Sequence, residues 1–215
     1  MPSGACQTEG RAGWRVLIFQ FVIPSGMRHI RRVSDFIHQW LRSVETGRDF
    51  EKCTKCDCDL ADTRESWIVN KEWHRGECVM EYALCHDCRG EMVASISEES
   101  ARFVQNFFER HIDPMRWIGQ FAADDDAPDS LIDACFACGA SRDAAEGFGV
   151  SAMFRSPGTL EVGPLPVLIC QECSMKVEEG LSKQTRDSWQ RFVEENFPGP
   201  PGLDEPVPHR MPAMF

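Results

Sequence analysis

The sequence predicts an α+β chain of two tandem small modules, each a β-hairpin followed by helix, behind an amphipathic helix near the N-terminus. Three observations predict it. A Cys-x-x-Cys pair occurs four times, as Cys53/Cys56, Cys85/Cys88, Cys135/Cys138 and Cys170/Cys173, with 28 residues between the first two pairs and 31 between the last two. Strand-like segments with a turn signal lie inside each interval. The residues after each second pair align without a gap over 28 positions: Met92 meets Val177, Ile96 meets Leu181, Ser97 meets Ser182, Val104 meets Trp189, Phe107 meets Phe192, Phe108 meets Val193 and Ile112 meets Phe197. Cysteines, helix cap and apolar stripe recur together, so the chain reads as a duplication.

The cysteine arithmetic points to metal. Eight of the 11 cysteines fall in the four pairs. Disulfides have no need of that spacing, whereas a Cys-x-x-Cys turn supplies two corners of a tetrahedral zinc site. A secreted disulfide scaffold is the alternative, but such scaffolds are shorter and follow a signal peptide. The expectation is therefore two Zn²⁺ per chain, held by Cys53, Cys56, Cys85 and Cys88 and by Cys135, Cys138, Cys170 and Cys173. It implies a reducing compartment, most simply the cytoplasm.

Length and charge bound the rest. A chain of 215 residues gives one or two domains. The longest strongly apolar run, Val16–Ile23, falls short of the roughly 20 residues of a spanning helix. The net charge is −11. Residues 1–50 hold seven Arg against four Asp and Glu, and the remainder holds 16 basic against 30 acidic side chains. Eight thiolates and two Zn²⁺ would add −8 and +4 to −11, giving −15. Nucleic-acid binding normally shows a basic footprint, and this field opposes phosphate.

Taken in order, residues 1–26 read as an extension. Val16–Ile23 followed by Pro24-Ser25-Gly26 faintly resembles a secretory signal but lacks a small-residue cleavage site. A buried strand is another alternative. The preferred reading is an extension ahead of a start at Met27. Residues 27–47 read as the amphipathic helix, because Ile30, Val33, Ile37, Trp40, Leu41 and Val44 recur at three- and four-residue steps. Its basic side carries Arg28, Arg31, Arg32 and Arg42. Packing on the modules is preferred over a membrane or partner surface.

Module 1 spans 50–118. Trp67–Val69 and Val79–Leu84 read as strands, with the turn inside Lys71–Gly76. A helix is expected over Arg89–Ser95, and Ser97 with Glu98 and Glu99 opens another. Residues 119–131 form an acidic linker. Module 2 spans 132–197: Phe148–Phe154 and Leu160–Ile169 are strands around Arg155-Ser156-Pro157-Gly158, then a helix to Glu179, Gly180 as break and Ser182 as cap. Pro164 and Pro166 suit an edge or irregular strand. The proline-rich tail 198–215 reads as disordered.

A knuckle, a hairpin, and a second cysteine pair opening a helix resembles the treble-clef group of zinc domains, over about residues 50–112 and 132–197. A plain zinc ribbon would place the second pair on another hairpin. The resemblance is specific for zinc and weakly so for function, since the group includes nucleases, ribosomal proteins and protein-binding modules. A nuclease of the His-Asn-His kind needs a hairpin His and further ligands; only His74 offers one. No catalytic constellation is present, so the chain is expected not to be an enzyme.

The expected role is a protein-interaction scaffold, with Trp73, His74 and Arg75 of hairpin 1 as candidate partner surface and Trp67 assigned to the core. One alternative is a nucleic-acid binder using Arg28, Arg31, Arg32, Lys71 and Arg75. Another is a zinc–thiolate redox switch. Cys58 and Cys78 have no counterparts in copy 2 and are read as small buried side chains, with a ligand swap or a thiol pair with each other as the functional alternative. His74 and His86 are potential ligands beside shells that four cysteines already fill.

Overall fold

A computed structural model describes residues 29–30, 40–111, 131–162 and 165–197. The expected extension, the acidic linker apart from Leu131, and the proline-rich tail lie outside the described residues, as do Arg28, Arg31 and Arg32. In chain order the strands and helices are β1 (His29–Ile30), β2 (Trp67–His74), β3 (Glu77–Leu84), α1 (His86–Ala94), α2 (Glu98–His111), β4 (Gly147–Arg155), β5 (Thr159–Val162), β6 (Val167–Cys170), α3 (Gln171–Glu179) and α4 (Lys183–Asn196).

Each copy repeats one local design. Asp57 N–H donates to Cys53 C=O (2.9 Å) and Gly139 N–H to Cys135 C=O (2.7 Å), closing the knuckle. Both Asp57 (φ 58°) and Gly139 (φ 77°) take the left-handed conformation, which glycine adopts freely and aspartate tolerates. Thr54 N–H donates to Ala83 C=O (2.8 Å) and Phe136 N–H to Leu168 C=O (2.9 Å), tying each knuckle to its returning strand. A 3₁₀ turn follows each knuckle, at Leu60–Asp62 and Arg142–Ala144. The helices after the second pairs start earlier than expected, with Cys85 and Cys170 themselves as N-caps.

Hairpin 1 is longer than its sequence implied. Its turn is only Arg75-Gly76, both left-handed (φ 51° and 81°). Positive φ at both central residues is the turn geometry that matches strand twist. Lys71 to His74 therefore belong to β2, with a register irregularity between Glu72 and Trp73. The second hairpin returns as two pieces: β5 pairs Met153–Arg155 and β6 pairs Phe148–Ser151, both on β4. Leu165 and Pro166 stand outside strand pairing between them.

The copies are joined in one antiparallel sheet of order β1-β5-β4-β2-β3, with β6 also on β4. β2 pairs β4 along its whole length, from Trp67↔Phe154 to His74↔Gly147. This antiparallel pair relates the copies by an approximate two-fold passing between Asn70/Lys71 and Val150/Ser151. Trp67 stacks on Phe154 (6.0 Å, 16°) at one end and Trp73 on Phe148 (6.3 Å, 20°) at the other.

The long helices cross between copies. Tyr82 of β3, nearly fully buried, touches Trp189, Phe192 and Phe197 from α4 and its end at centroid distances of 5.5–6.1 Å. Reciprocally, Phe108 of α2 meets Phe136 of the second knuckle at 5.1 Å. The buried apolar side chains of both copies, from Leu41 to Val193, form one cluster.

The N-terminal helix expected over 27–47 requires correction. His29–Ile30 form a strand on β5, Trp40–Leu41 are helical, and 44–46 are turn followed by a bend; the stretch 31–39 lies outside the described residues. The physical reason at the C-terminal end is Glu81. Its carboxylate accepts Ser43 O–H (2.7 Å) and the N–H groups of Val44 (2.8 Å) and Glu45 (3.3 Å), which holds a turn where a helix would have continued.

Candidate metal centres

Each set of four cysteines converges. The sulfurs of Cys53, Cys56, Cys85 and Cys88 lie within 4.8 Å of one another, as do those of Cys135, Cys138, Cys170 and Cys173. A tetrahedral cation with bonds of about 2.3 Å sets its sulfurs about 3.8 Å apart. Cys56 and Cys85 sulfurs stand at 3.8 Å, and Cys138 and Cys170 sulfurs at 3.7 Å. Each group can therefore hold a metal ion, one per copy.

The elements that place them are the same in both copies. The knuckle contributes a buried sulfur (Cys53, Cys135) and an exposed one (Cys56, Cys138); the helix start contributes two buried ones. The cap position lets the positive end of the α1 or α3 dipole face thiolate charge. Cys85 N–H points at Cys53 Sγ (3.4 Å).

Crowded sulfurs compete for charge. Hydrogen bonds from Cys85 and Cys88 hold the Cys53 thiol far below its ordinary range. Hydrogen bonding to Cys53 and Cys85, then burial and repulsion from both, push Cys88 far above it. In the second group burial pushes Cys170 up to about 11, and burial with repulsion from Cys135 raises Cys173 further. A cation lifts this restriction by neutralising several thiolates at once, and its binding expels protons.

The remaining candidates separate. Cys58 is buried two residues after Cys56, outside the four sulfurs that converge. Cys78 sits opposite Trp73, seven residues up β3 from Cys85, about 23 Å at the usual strand rise. A disulfide needs Cα atoms within about 7 Å, so the thiol pair of Cys58 with Cys78 is ruled out, and so is Cys78 as a ligand. The Cys78 thiol instead faces Met80 C=O (3.5 Å) and is pushed up to about 11, chiefly by burial. His86 is exposed at the start of α1, and neither it nor His74 belongs to a cysteine group.

The tip of hairpin 1 is engaged by the second copy. Trp73 packs edge-on to Trp40 (5.2 Å) as well as on Phe148. His74 Nδ1 is 3.1 Å from Gln171 Oε1. Arg75 N–H donates to Glu146 C=O (2.8 Å) and its guanidinium pairs with the Glu146 carboxylate (2.7 Å) at the surface. A cavity of about 30 Å³ lies among Lys71, Trp73, Phe148, Gly149 and Gln171, room for a water or two. Trp73 Nε1 is buried without an acceptor among the described residues.

Lys71 is not a surface cation. Its side chain is fully buried, paired with Glu81 (3.2 Å), donating to Arg42 C=O, and 5.3 Å from the Trp73 ring. Sequence reasoning missed this pair because it placed Lys71 in a turn. It also missed Ser100 and Thr185, each three residues past a cap serine. A hydroxyl at that shared position was the available signal.

No helix among the described residues is long and apolar enough to cross a membrane. Comparison with known proteins adds no family: no protein-family model, curated protein or solved structure matches the chain.

Proposed function

We propose that the chain is a non-catalytic protein-interaction scaffold stabilised by two structural Zn²⁺ ions, one in each four-cysteine group. The observation that carries the reading is the closed donor set. Four sulfurs within 4.8 Å of one another, three of them on buried residues, leave no position for water or substrate, whereas catalytic zinc keeps one. An all-thiolate tetrahedron suits zinc among the common divalent ions. The knuckle, the hairpin and the helix that opens at the second pair support the treble-clef likeness.

The test has two parts. Elemental analysis of natively purified protein is expected to give two zinc per chain, and X-ray absorption at the zinc edge four sulfur neighbours. Partners crosslinked in native extract are then purified and titrated against the zinc-loaded chain. Sulfur coordination with fewer than four donors overturns the structural-zinc reading. Tight, salt-sensitive binding of mixed DNA or RNA in place of any purified protein overturns the scaffold reading.

A further inference from the structure

The two centres share a backbone but differ at one side chain. Cys53 N–H donates to Cys58 C=O (3.0 Å), and Cys135 N–H donates to Ala140 C=O (2.7 Å). Cys58 and Ala140 are therefore equivalent positions, two residues after the exposed ligand of each knuckle. Ala140 is exposed, while Cys58 is only 8% exposed. The first centre thus has a fifth cysteine, buried and two residues from one of its four ligands. The fifth sits beside Cys56, the ligand open to solvent.

We propose that Cys58 makes the first centre a hydroperoxide-responsive thiol site, in which Cys56 is oxidised and Cys58 resolves it; this rests on the two-metal reading above. The Cys56 sulfur attacks the terminal oxygen of a hydroperoxide. The O–O bond breaks, Cys56 becomes a sulfenic acid, and the departing alkoxide or hydroxide takes a proton. The Cys58 sulfur then attacks the Cys56 sulfur. The S–S bond forms, the S–O bond breaks, and the hydroxide leaves as water with the proton of Cys58. The two thiols supply two electrons to one peroxide, and a dithiol reductant restores them.

The chain geometry permits this bond. Two residues apart, the Cα atoms of Cys56 and Cys58 are separated by at most about 7 Å, and the left-handed turn at Asp57 (φ 58°) shortens that span. This brings them into the range a disulfide bridges. The first centre would then offer only Cys53, Cys85 and Cys88, one donor short of the closed set, so its cation is expected to leave. The second centre has an equally exposed ligand in Cys138 but no resolving thiol, so the molecule carries its own control.

The experiment follows zinc release from the full zinc-loaded chain under dilute hydrogen peroxide, using a chromogenic chelator, with disulfides mapped by peptide mass. Two zinc per chain before oxidant tests the metal reading separately. The wild type is expected to release one zinc and to show a Cys56–Cys58 disulfide. Cys58→Ala, which copies the second centre, is expected to release zinc about tenfold more slowly or less. Ala140→Cys is expected to add release of the second zinc, and it reports even if Cys58→Ala folds poorly. Equal release from both centres in the wild type overturns the proposal. So does wild-type release by Cys58→Ala, or a disulfide of Cys56 with Cys85 in place of Cys58.

Discussion

The hydroxyls of Ser97 and Ser182 lie 2.8 Å apart, joining the N-caps of α2 and α4 across the approximate two-fold. The link is reciprocal. Ser97 N–H donates to Thr185 Oγ1 (3.0 Å), and Ser182 N–H donates to Ser100 Oγ (2.8 Å). In an ordinary capping box the third helical residue reaches back to its own cap; here each helix supplies that group to the other. Ser97 and Ser182 still cap their own helices, accepting from Ser100 N–H (3.1 Å) and Thr185 N–H (3.3 Å). The N–H of each cap serine is thereby satisfied only when the copies are together.

Ser97→Ala and Ser182→Ala are each expected to lower unfolding free energy by about 1–2 kcal/mol in urea titrations. Because they share one network, the double variant is expected to lose at least about 0.5 kcal/mol less than the sum. Strict additivity would show that the two caps work independently.

Gly180 gives a second probe of the same junction. A Cβ there would come within 2.0–2.4 Å of the Phe103 ring from α2. Its backbone is ordinary for an L-residue (φ −87°, ψ −3°), so no conformational strain confuses the result. Gly180→Ala is expected to destabilise by about 1–3 kcal/mol through overpacking. Gly90→Ala is the control: it lies exposed within α1 with nothing near the added carbon, and is expected to stabilise by about 0.5–1 kcal/mol. Thermal melts of the two variants should therefore move in opposite directions.

These contacts mark where reading the sequence stops. The cysteine spacing and the serine caps were legible because each depends on neighbours a few residues away. The pairing of β2 with β4 was not, since a repeat is compatible with copies side by side or copies that exchange helices. The helical stripe from Ile30 to Val44 misled because Glu81, remote in sequence, holds Ser43 to Glu45 in a turn. Lys71 opposite Glu81 needs both the turn at Arg75-Gly76 and the register irregularity between Glu72 and Trp73, without which Lys71 would face Met80.

One sheet and one core imply one cooperative unit. Removing a ligand from the second centre by Cys173→Ser is expected to loosen β2 and β3 as well as the second copy. Structural zinc supplies roughly 10–16 kcal/mol of apparent binding energy in small domains, more than the whole stability of a typical domain. Hydrogen exchange should show protection lost in both copies in a single transition, and two separable transitions would contradict it. Metal ligation needs deprotonated thiols, and this sets the direction with pH. Protons compete with the metal, so chelators should strip the protein more readily as pH falls.

The buried pair Lys71–Glu81 has a pH dependence of its own. Burial alone would raise the Glu81 carboxyl, but hydrogen bonds from Ser43, Val44 and Glu45 and the Lys71 charge outweigh it and leave it below the ordinary 4.5. A carboxylate depressed in the folded state contributes stability that is fully present above its unfolded value. That contribution is lost as pH falls through the lower folded value. Acid titration should therefore release the 43–48 turn below about pH 4.5, read as increased exchange at the Val44 amide. Glu81→Gln leaves the fully buried Lys71 ammonium without its counter-charge and is expected to cost about 3–5 kcal/mol. Lys71→Met leaves Glu81 with its three hydrogen bonds and should cost much less, about 1 kcal/mol. Glu81→Gln should also flatten the acid dependence, while Lys71→Met should keep most of it. Equal losses from the two variants would show that the ion pair, and not the turn it anchors, carries the stability.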